Sequence, residues 1–231
     1  MRIWAIALAA WVWAALPCCL RAENDFGKTR TLRVCVLNDT QAPVRRSTIA
    51  SIVRVVSNEY EENGTGLRFK IVERHEIQTD LLHPSLAEFD RACAARDIIL
   101  GFTNQMHYVL LPGRPRHRDI FGFAEPHAGI VWIYETETRK GGDGTIVVPS
   151  AYQTTKHEIA HLFGVFDPTS KIPEACAGAD FMYTWCDTDA WSESLAASIR
   201  SKRQKIWTKP TEENQRDLDK QFEYVSRDFA K

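Results

Sequence analysis

The sequence predicts an α+β fold: a mostly parallel sheet packed by an N-terminal helix and by a helix carrying two histidines, with a small helical region toward the C-terminus. Three observations predict it. Short β-branched runs alternate with segments of helical periodicity from Thr31 to Phe102, the pattern of parallel strands joined by crossover helices. "DIILGF" from Asp97 is apolar almost throughout, as a central strand covered on both faces must be. After the glycine-rich "KGGDGTIVV", helical spacing takes over.

Each element has its own local reason. "TLRVCVL" from Thr31 is short and β-branched-rich and reads as a buried strand. Ile49, Ile52, Val53, Val56 and Tyr60 then fall on one helical face, with Ser47 placed to cap the start and "ENGTG" at Glu62–Gly66 breaking the end. "LRFKIVER" from Leu67 is a second strand, "HPSLAEFDRACAAR" is helical after Pro84, and "DIILGF" is the third strand. "LLPGRPRHRD", Leu110–Asp119, reads as an exposed loop whose basic residues are a solvated surface. "GFAEPHAGIVWIYE" turns through Pro126 and Gly129 into a strand at Ile130–Tyr134, expected at the sheet edge. Ser150 and Gln153 form the reciprocal pair of a capping box, and Gly164 is the residue at which that helix should stop. "CAGADFMYTWC" is a short loop, Trp191, Leu195 and Ile199 mark a final helix from near Asp189, and the charged stretch from Lys209 is a peripheral helix or a disordered end.

A chain of 231 residues with 44% hydrophobic content has room for one domain with a core able to hold a buried site. The formal net charge of -1 gives no bulk attraction to nucleic acid or to an anionic membrane, so neither partner is expected. Residues 1–22 read as a secretory signal: Arg2, an apolar run from Ile3 to Leu20, then small Ala22 at a cleavage position. An uncleaved membrane anchor is the competing reading. Cleavage there would remove two of 29 basic residues, Arg2 and Arg21, leaving 27 against 30 acidic ones and a mildly acidic mature chain. Export also suits the cysteines. Outside the signal stand Cys35, Cys93, Cys176 and Cys186, for which the economical pairing is Cys176–Cys186 with Cys35–Cys93; free buried thiols are the alternative.

The stretch with chemistry in it is "TKHEIAHLFGVFD", Thr155–Asp167. On a helix His157 and His161 lie one turn apart on the same face and can offer imidazole nitrogens to a single ion. Glu158 then sits beside that ion without ligating it, where a general base is wanted for a water whose pKa a zinc ion lowers to about 7. A catalytic zinc needs a third protein ligand and an open fourth position. A chain that leaves the helix at Gly164 can turn back beneath the ion, and Asp167 is the carboxylate it would bring. Zn2+, one ion, is therefore the expected cofactor, and Glu158 the group that moves a proton from water to the leaving amine of a cleaved peptide.

Those residues, HExxHxxGxxD without a departure at any fixed position, resemble the metzincin metallopeptidases, and among them the aspartate variant found in small secreted proteases of the snapalysin type. The resemblance spans most of residues 31–207. It implies a twisted, mostly parallel sheet with an antiparallel edge strand that pairs with extended substrate, drawing in "DIILGF" and "GFAEPHAGIVWIYE". It also implies a methionine turn beneath the zinc, for which Met182 in "DFMYTW" is the candidate, a core methionine being the other reading. Two places after Met182 stands Thr184, so a tyrosine ligand of the astacin kind is not expected; Tyr183 or Tyr152 is a candidate for stabilising an oxyanion. The short interval between Ala22 and the first strand leaves no room for a propeptide, and Cys35 inside that strand is not expected to block the zinc.

The resulting expectation is a secreted or periplasmic zinc endopeptidase: signal at 1–22, catalytic domain at 23–207, charged tail at 208–231, monomeric, acting on protein or peptide and free of the membrane once cleaved. Two alternatives stand beside it. A thermolysin-like enzyme would take a later glutamate as third ligand, with Glu193 the candidate, and a non-catalytic secreted protein would keep the site only as a vestige. The sequons at Asn38 and Asn63 read as chance occurrences.

Overall fold

A computed structural model describes residues 28–78, 85–105, 107–110, 117–120, 122–134, 151–167, 179–182 and 188–226. The expected signal at 1–22, Ser150, Cys176, Tyr183, Thr184 and Cys186 lie outside the described residues. In chain order the elements are β1 (Arg30–Asp39), α1 (Arg46–Glu62), β2 (Leu67–Ile77), α2 (Leu86–Ala92), β3 (Ile98–Phe102), β4 (His107–Leu110), β5 (His117–Ile120), β6 (Gly122–Glu125), β7 (Ile130–Ile133), α3 (Ala151–Leu162), α4 (Glu193–Ser201) and α5 (Glu212–Ser226). Among the described residues no helix is long and apolar enough to cross a membrane.

The main sheet has the order β2-β1-β3-β7-β6. Its first four strands are mutually parallel, and β6 runs antiparallel to β7. Side chains of β1, β3 and β7 alternate between its faces, and a register shift in the pairing of β1 with β2 lets Ile71 and Ile77 of β2 pack on opposite faces. Leu32, Val34 and Val36 of β1 join one core with Ile98, Leu100 and Phe102 of β3, Val131 and Ile133 of β7, and the apolar sides of α1, α3 and α4. Cys35 and Leu37 point the other way, into a smaller core with Ile99, Ile130, Trp132, Leu86 and Phe89 of α2 and Leu218 of α5. On that second face Cys35 and Cys93 form a disulfide with Cα atoms 5.8 Å apart, tying β1 to the end of α2. The α2 and α5 helices are joined where the Leu86 amide donates to Gln215 Oε1 (2.8 Å).

Four local expectations are corrected. The Ile130 strand is not the edge: "IVWI" is buried at every position and runs inside the sheet, because a segment apolar on both sides has nowhere else to sit, and the edge is β6. Ser47 does not cap α1, which starts a residue earlier behind Arg45. Asn38 brackets Val44 with two hydrogen bonds of 3.0 and 3.1 Å, and the chain that leaves this clamp is already turning. The final helix starts at Glu193 rather than near Asp189, since the Ser192 hydroxyl caps the Leu195 amide while Ala190 is held by Phe181. Part of the Leu110–Asp119 loop is strand: β4 and β5 pair antiparallel, and residues 111–116 lie outside the described residues.

Candidate metal centre

α3 crosses the first face of the sheet against β6, β7 and α1, and most of its residues are buried. That position makes its polar residues costly unless they are partnered. His157 and His161 stand one turn apart with ring centroids 4.7 Å apart and planes at 89°. Each ring is held from behind. The His157 Nδ1–H donates to the Phe181 carbonyl at 3.4 Å, and the His161 Nδ1–H donates to the Val165 carbonyl at 2.7 Å. A carbonyl can only accept, so with an ion between the rings each proton would sit on Nδ1 and both Nε2 lone pairs, 3.1 Å apart, would be left for that ion.

The third group arrives by the turn that follows. Gly164 has φ +69°, a conformation that side chains resist, and its amide closes on the His161 carbonyl at 2.8 Å. Lys205 and Lys202 donate to the carbonyls of Leu162 (2.7 Å) and Gly164 (3.2 Å), satisfying the end of α3. The chain then swings back and puts Asp167 Oδ1 3.1 Å from His157 Nε2 and 3.7 Å from His161 Nε2. Donor atoms about 2.05 Å from a tetrahedral zinc are about 3.3 Å from each other, so the three separations fit one ion shared by two imidazoles and a carboxylate. Asp167 is 53% exposed, so the carboxylate side of the set lies near solvent.

Glu158 lies on the same helix with Oε2 4.0 Å from His161 Nε2. Burial, with the charge of His157 opposing it and that of Asp167 adding to it, pushes its carboxyl up to about 7. β6 passes against it: a Cβ on Gly122 would lie 2.7 Å from Glu158 Cγ and 2.8 Å from Thr154 Cγ2, so only glycine lets the edge strand come this close. The imidazoles differ from each other. Burial disfavours the His157 cation, yet Asp167, Glu158 and the Phe181 carbonyl together raise its pKa, whereas burial and the charge of His157 lower that of His161. Burial, then the charge of Glu158, holds the Tyr134 phenol well above its ordinary range.

Met182 is buried in the core that also holds Ile159, Ala160 and Phe181, and its amide donates to Asp180 Oδ1 at 3.1 Å. It follows directly on the residue whose carbonyl orients His157. Tyr152, a candidate for the oxyanion, is engaged elsewhere: its hydroxyl donates to Glu59 Oε1 of α1 at 2.6 Å. Glu193 is exposed on the first turn of α4. Among the described residues the carboxylates within 4.0 Å of the facing histidine nitrogens are Asp167 and Glu158.

Sequence reading did not find the two backbone carbonyls behind the histidines, the fit of Gly122 against Glu158, or Lys156. Carbonyls leave no mark in residue types. Lys156 leaves none either, since it stands among polar residues of α3 and its partners Glu59 and Asp189 lie on other segments.

No family model matches the chain, and no curated protein matches it. Solved structures with a related arrangement include an archaemetzincin from Methanopyrus kandleri, 12% identical with a TM-score of 0.46, covering 76% of this chain and 97% of that one. A zinc-dependent peptidase from Methanocorpusculum labreanum is 16% identical with a TM-score of 0.41, covering 72% and 99%. Metalloproteinase-II from Bacteroides fragilis is 12% identical with a TM-score of 0.45, covering 78% and 54%. Likeness at this level assigns no chemistry; the donor atoms of this chain have to do so.

Proposed function

We propose that the chain is a secreted zinc-dependent endopeptidase of the metzincin type, with His157, His161 and Asp167 as the metal ligands, Glu158 as the general base and Met182 in the methionine turn. The observation that carries the reading is the convergence of two Nε2 atoms and one carboxylate oxygen at 3.1, 3.1 and 3.7 Å, beside a buried carboxylate that does not belong to the set. A purely structural zinc is a closed four-ligand site and has no use for such a base. When bound, zinc supplies Lewis-acid polarisation of a peptide carbonyl and a lowered pKa for water at the open position.

The protein's own groups do the rest. His157 and His161, held by the Phe181 and Val165 carbonyls, present neutral Nε2 atoms; Asp167 adds one negative charge. Glu158 takes the proton of the attacking water and passes it to the departing amine, and its burial, which disfavours the bare carboxylate, favours taking that proton up. Among the described residues no strand pairs with the outer side of β6, and Gly122 on that strand lies against Glu158, so an extended peptide added there would run past the base. The signal-like residues 1–22 and the Cys35–Cys93 disulfide support export into an oxidising compartment.

Zinc analysis together with casein digestion by the wild type and by Glu158→Ala tests the reading. Stoichiometric zinc in both proteins and digestion by the wild type alone are expected. Absence of zinc, or equal digestion by both, would sink it.

A further inference from the structure

The side chain of Lys156, one residue before the first histidine, is fully buried (0% exposed) and has no part in the chemistry described above. Its ammonium reaches three elements. It lies 3.1 Å from Glu59 Oε2 of α1, donates to the Asp189 carbonyl at 3.1 Å and to the Tyr152 hydroxyl at 3.2 Å, and has Asp189 Oδ1 at 3.5 Å. It also stands 4.8 Å from the centre of the Phe181 ring and 5.0 Å from that of Tyr152. Phe181 and Asp189 belong to two short segments joined by hydrogen bonds from the Phe181 amide to the Ala190 carbonyl (3.0 Å) and from the Ser192 hydroxyl to Asp180 Oδ2 (2.6 Å). Trp191 completes the grip: its ring packs on Phe181 with centroids 4.7 Å apart, and its Nε1–H donates to Glu59 Oε2 at 3.3 Å.

Phe181 is therefore fixed by its amide, by its ring and by the ammonium, while its carbonyl is the acceptor for His157 Nδ1–H. A lysine buried this deeply is costly to keep, and a core of similar volume without charge is often as stable or more so. The cost becomes intelligible when the charge holds something that apolar packing holds less well. Here that is the direction of one carbonyl, and through it the tautomer and orientation of one ligand.

Resting on the zinc reading of the site, we propose that Lys156 is a positioning residue: tied to Glu59, it clamps the Phe181 and Asp189 segments to α3, so that the Phe181 carbonyl keeps His157 in the Nδ1–H tautomer with Nε2 aimed at the metal. Loss of an outer partner of this kind weakens metal binding about 10–100-fold.

Two variants and two readouts test it in the full chain. Lys156→Met removes the charge. Lys156→Met/Glu59→Gln removes both halves of the pair, so that no uncompensated buried charge remains to unfold the protein. The hold on the His157 ring is read from exchange of its Nδ1–H with water in zinc-loaded, 13C,15N-histidine-labelled protein and from the ring 13C shifts of the metal-free protein, and zinc affinity by competition with a chelator. The expected result is a slowly exchanging Nδ1–H in the wild type, faster exchange and shifted ring signals in both variants, and zinc binding weakened at least about tenfold in both, with the double variant regaining thermal stability but not affinity. Wild-type exchange and affinity in both variants would overturn the proposal, as would a double variant whose affinity returns together with its stability. A wild type that binds no zinc, with the ring signals of metal-free His157 still shifting on loss of Lys156, would uphold the clamp and sink the zinc reading instead.

Discussion

Replacing Asp167 by alanine separates this site from its nearest competitor. Asp167 Oδ1 is one of three donor atoms around a common point, and the only carboxylate among them. Zinc held by a full set of four ligands in small domains is worth about 10–16 kcal/mol near neutral pH, or about 2.5–4 kcal/mol per ligand, so loss of Asp167 should raise the zinc Kd about 10²–10³-fold. The fold should hardly notice. Asp167 is 53% exposed and its contact with His157 is near solvent, which limits the change in metal-free stability to about 1 kcal/mol or less. Competition titration of zinc against a chelator measures the first quantity, and thermal unfolding of the metal-free protein the second. Glu193→Ala, on the exposed first turn of α4, should leave both unchanged. An Asp167→Ala protein with wild-type affinity, or a Glu193→Ala protein that loses zinc, would refute the assignment of the third ligand.

Two other perturbations follow from the same geometry. Gly122→Ala brings a Cβ within 2.7 Å of Glu158 Cγ, closer than carbon atoms tolerate, so the base or the edge strand must shift by about 1 Å, and peptide hydrolysis should fall about 10²-fold with zinc affinity retained; unchanged turnover would show that β6 does not flank the base. Cys35→Ala/Cys93→Ala opens a link between positions 58 residues apart, worth about 4 kcal/mol by loop closure, and should lower the midpoint of chemical unfolding while zinc affinity under native conditions stays the same, because the bond lies on the face of the sheet opposite α3; loss of zinc from the folded variant would contradict that separation.

What could be read from the sequence was what short-range spacing carries. Two histidines four apart on a helix, a glycine that stops it and a carboxylate three residues on are local facts, and local geometry alone brings Asp167 back to His157. The apolar runs of β1 and β3 announced central strands because covered strands have no polar face to show. The same rule applied to "IVWI" would have moved it inside the sheet; its nearness to a turn outweighed the evidence of its composition. The starts of α1 and α4 are decided by groups outside each helix: Asn38 holds Val44, and Phe181 holds Ala190. The role of Lys156 is hidden in the sequence for the same reason. Its partner Glu59 lies on another helix, and a charged residue among polar neighbours looks solvated until the fold closes over it.

The coordination of the zinc itself tests the central claim most directly. X-ray absorption at the zinc edge of the loaded full chain should show two imidazole nitrogens and oxygen donors at about 2.0–2.2 Å, with no sulfur, and Asp167→Ala should retain both imidazoles while losing an oxygen. A sulfur shell near about 2.3 Å, or fewer than two imidazoles in the wild type, would contradict a site built from His157, His161 and Asp167.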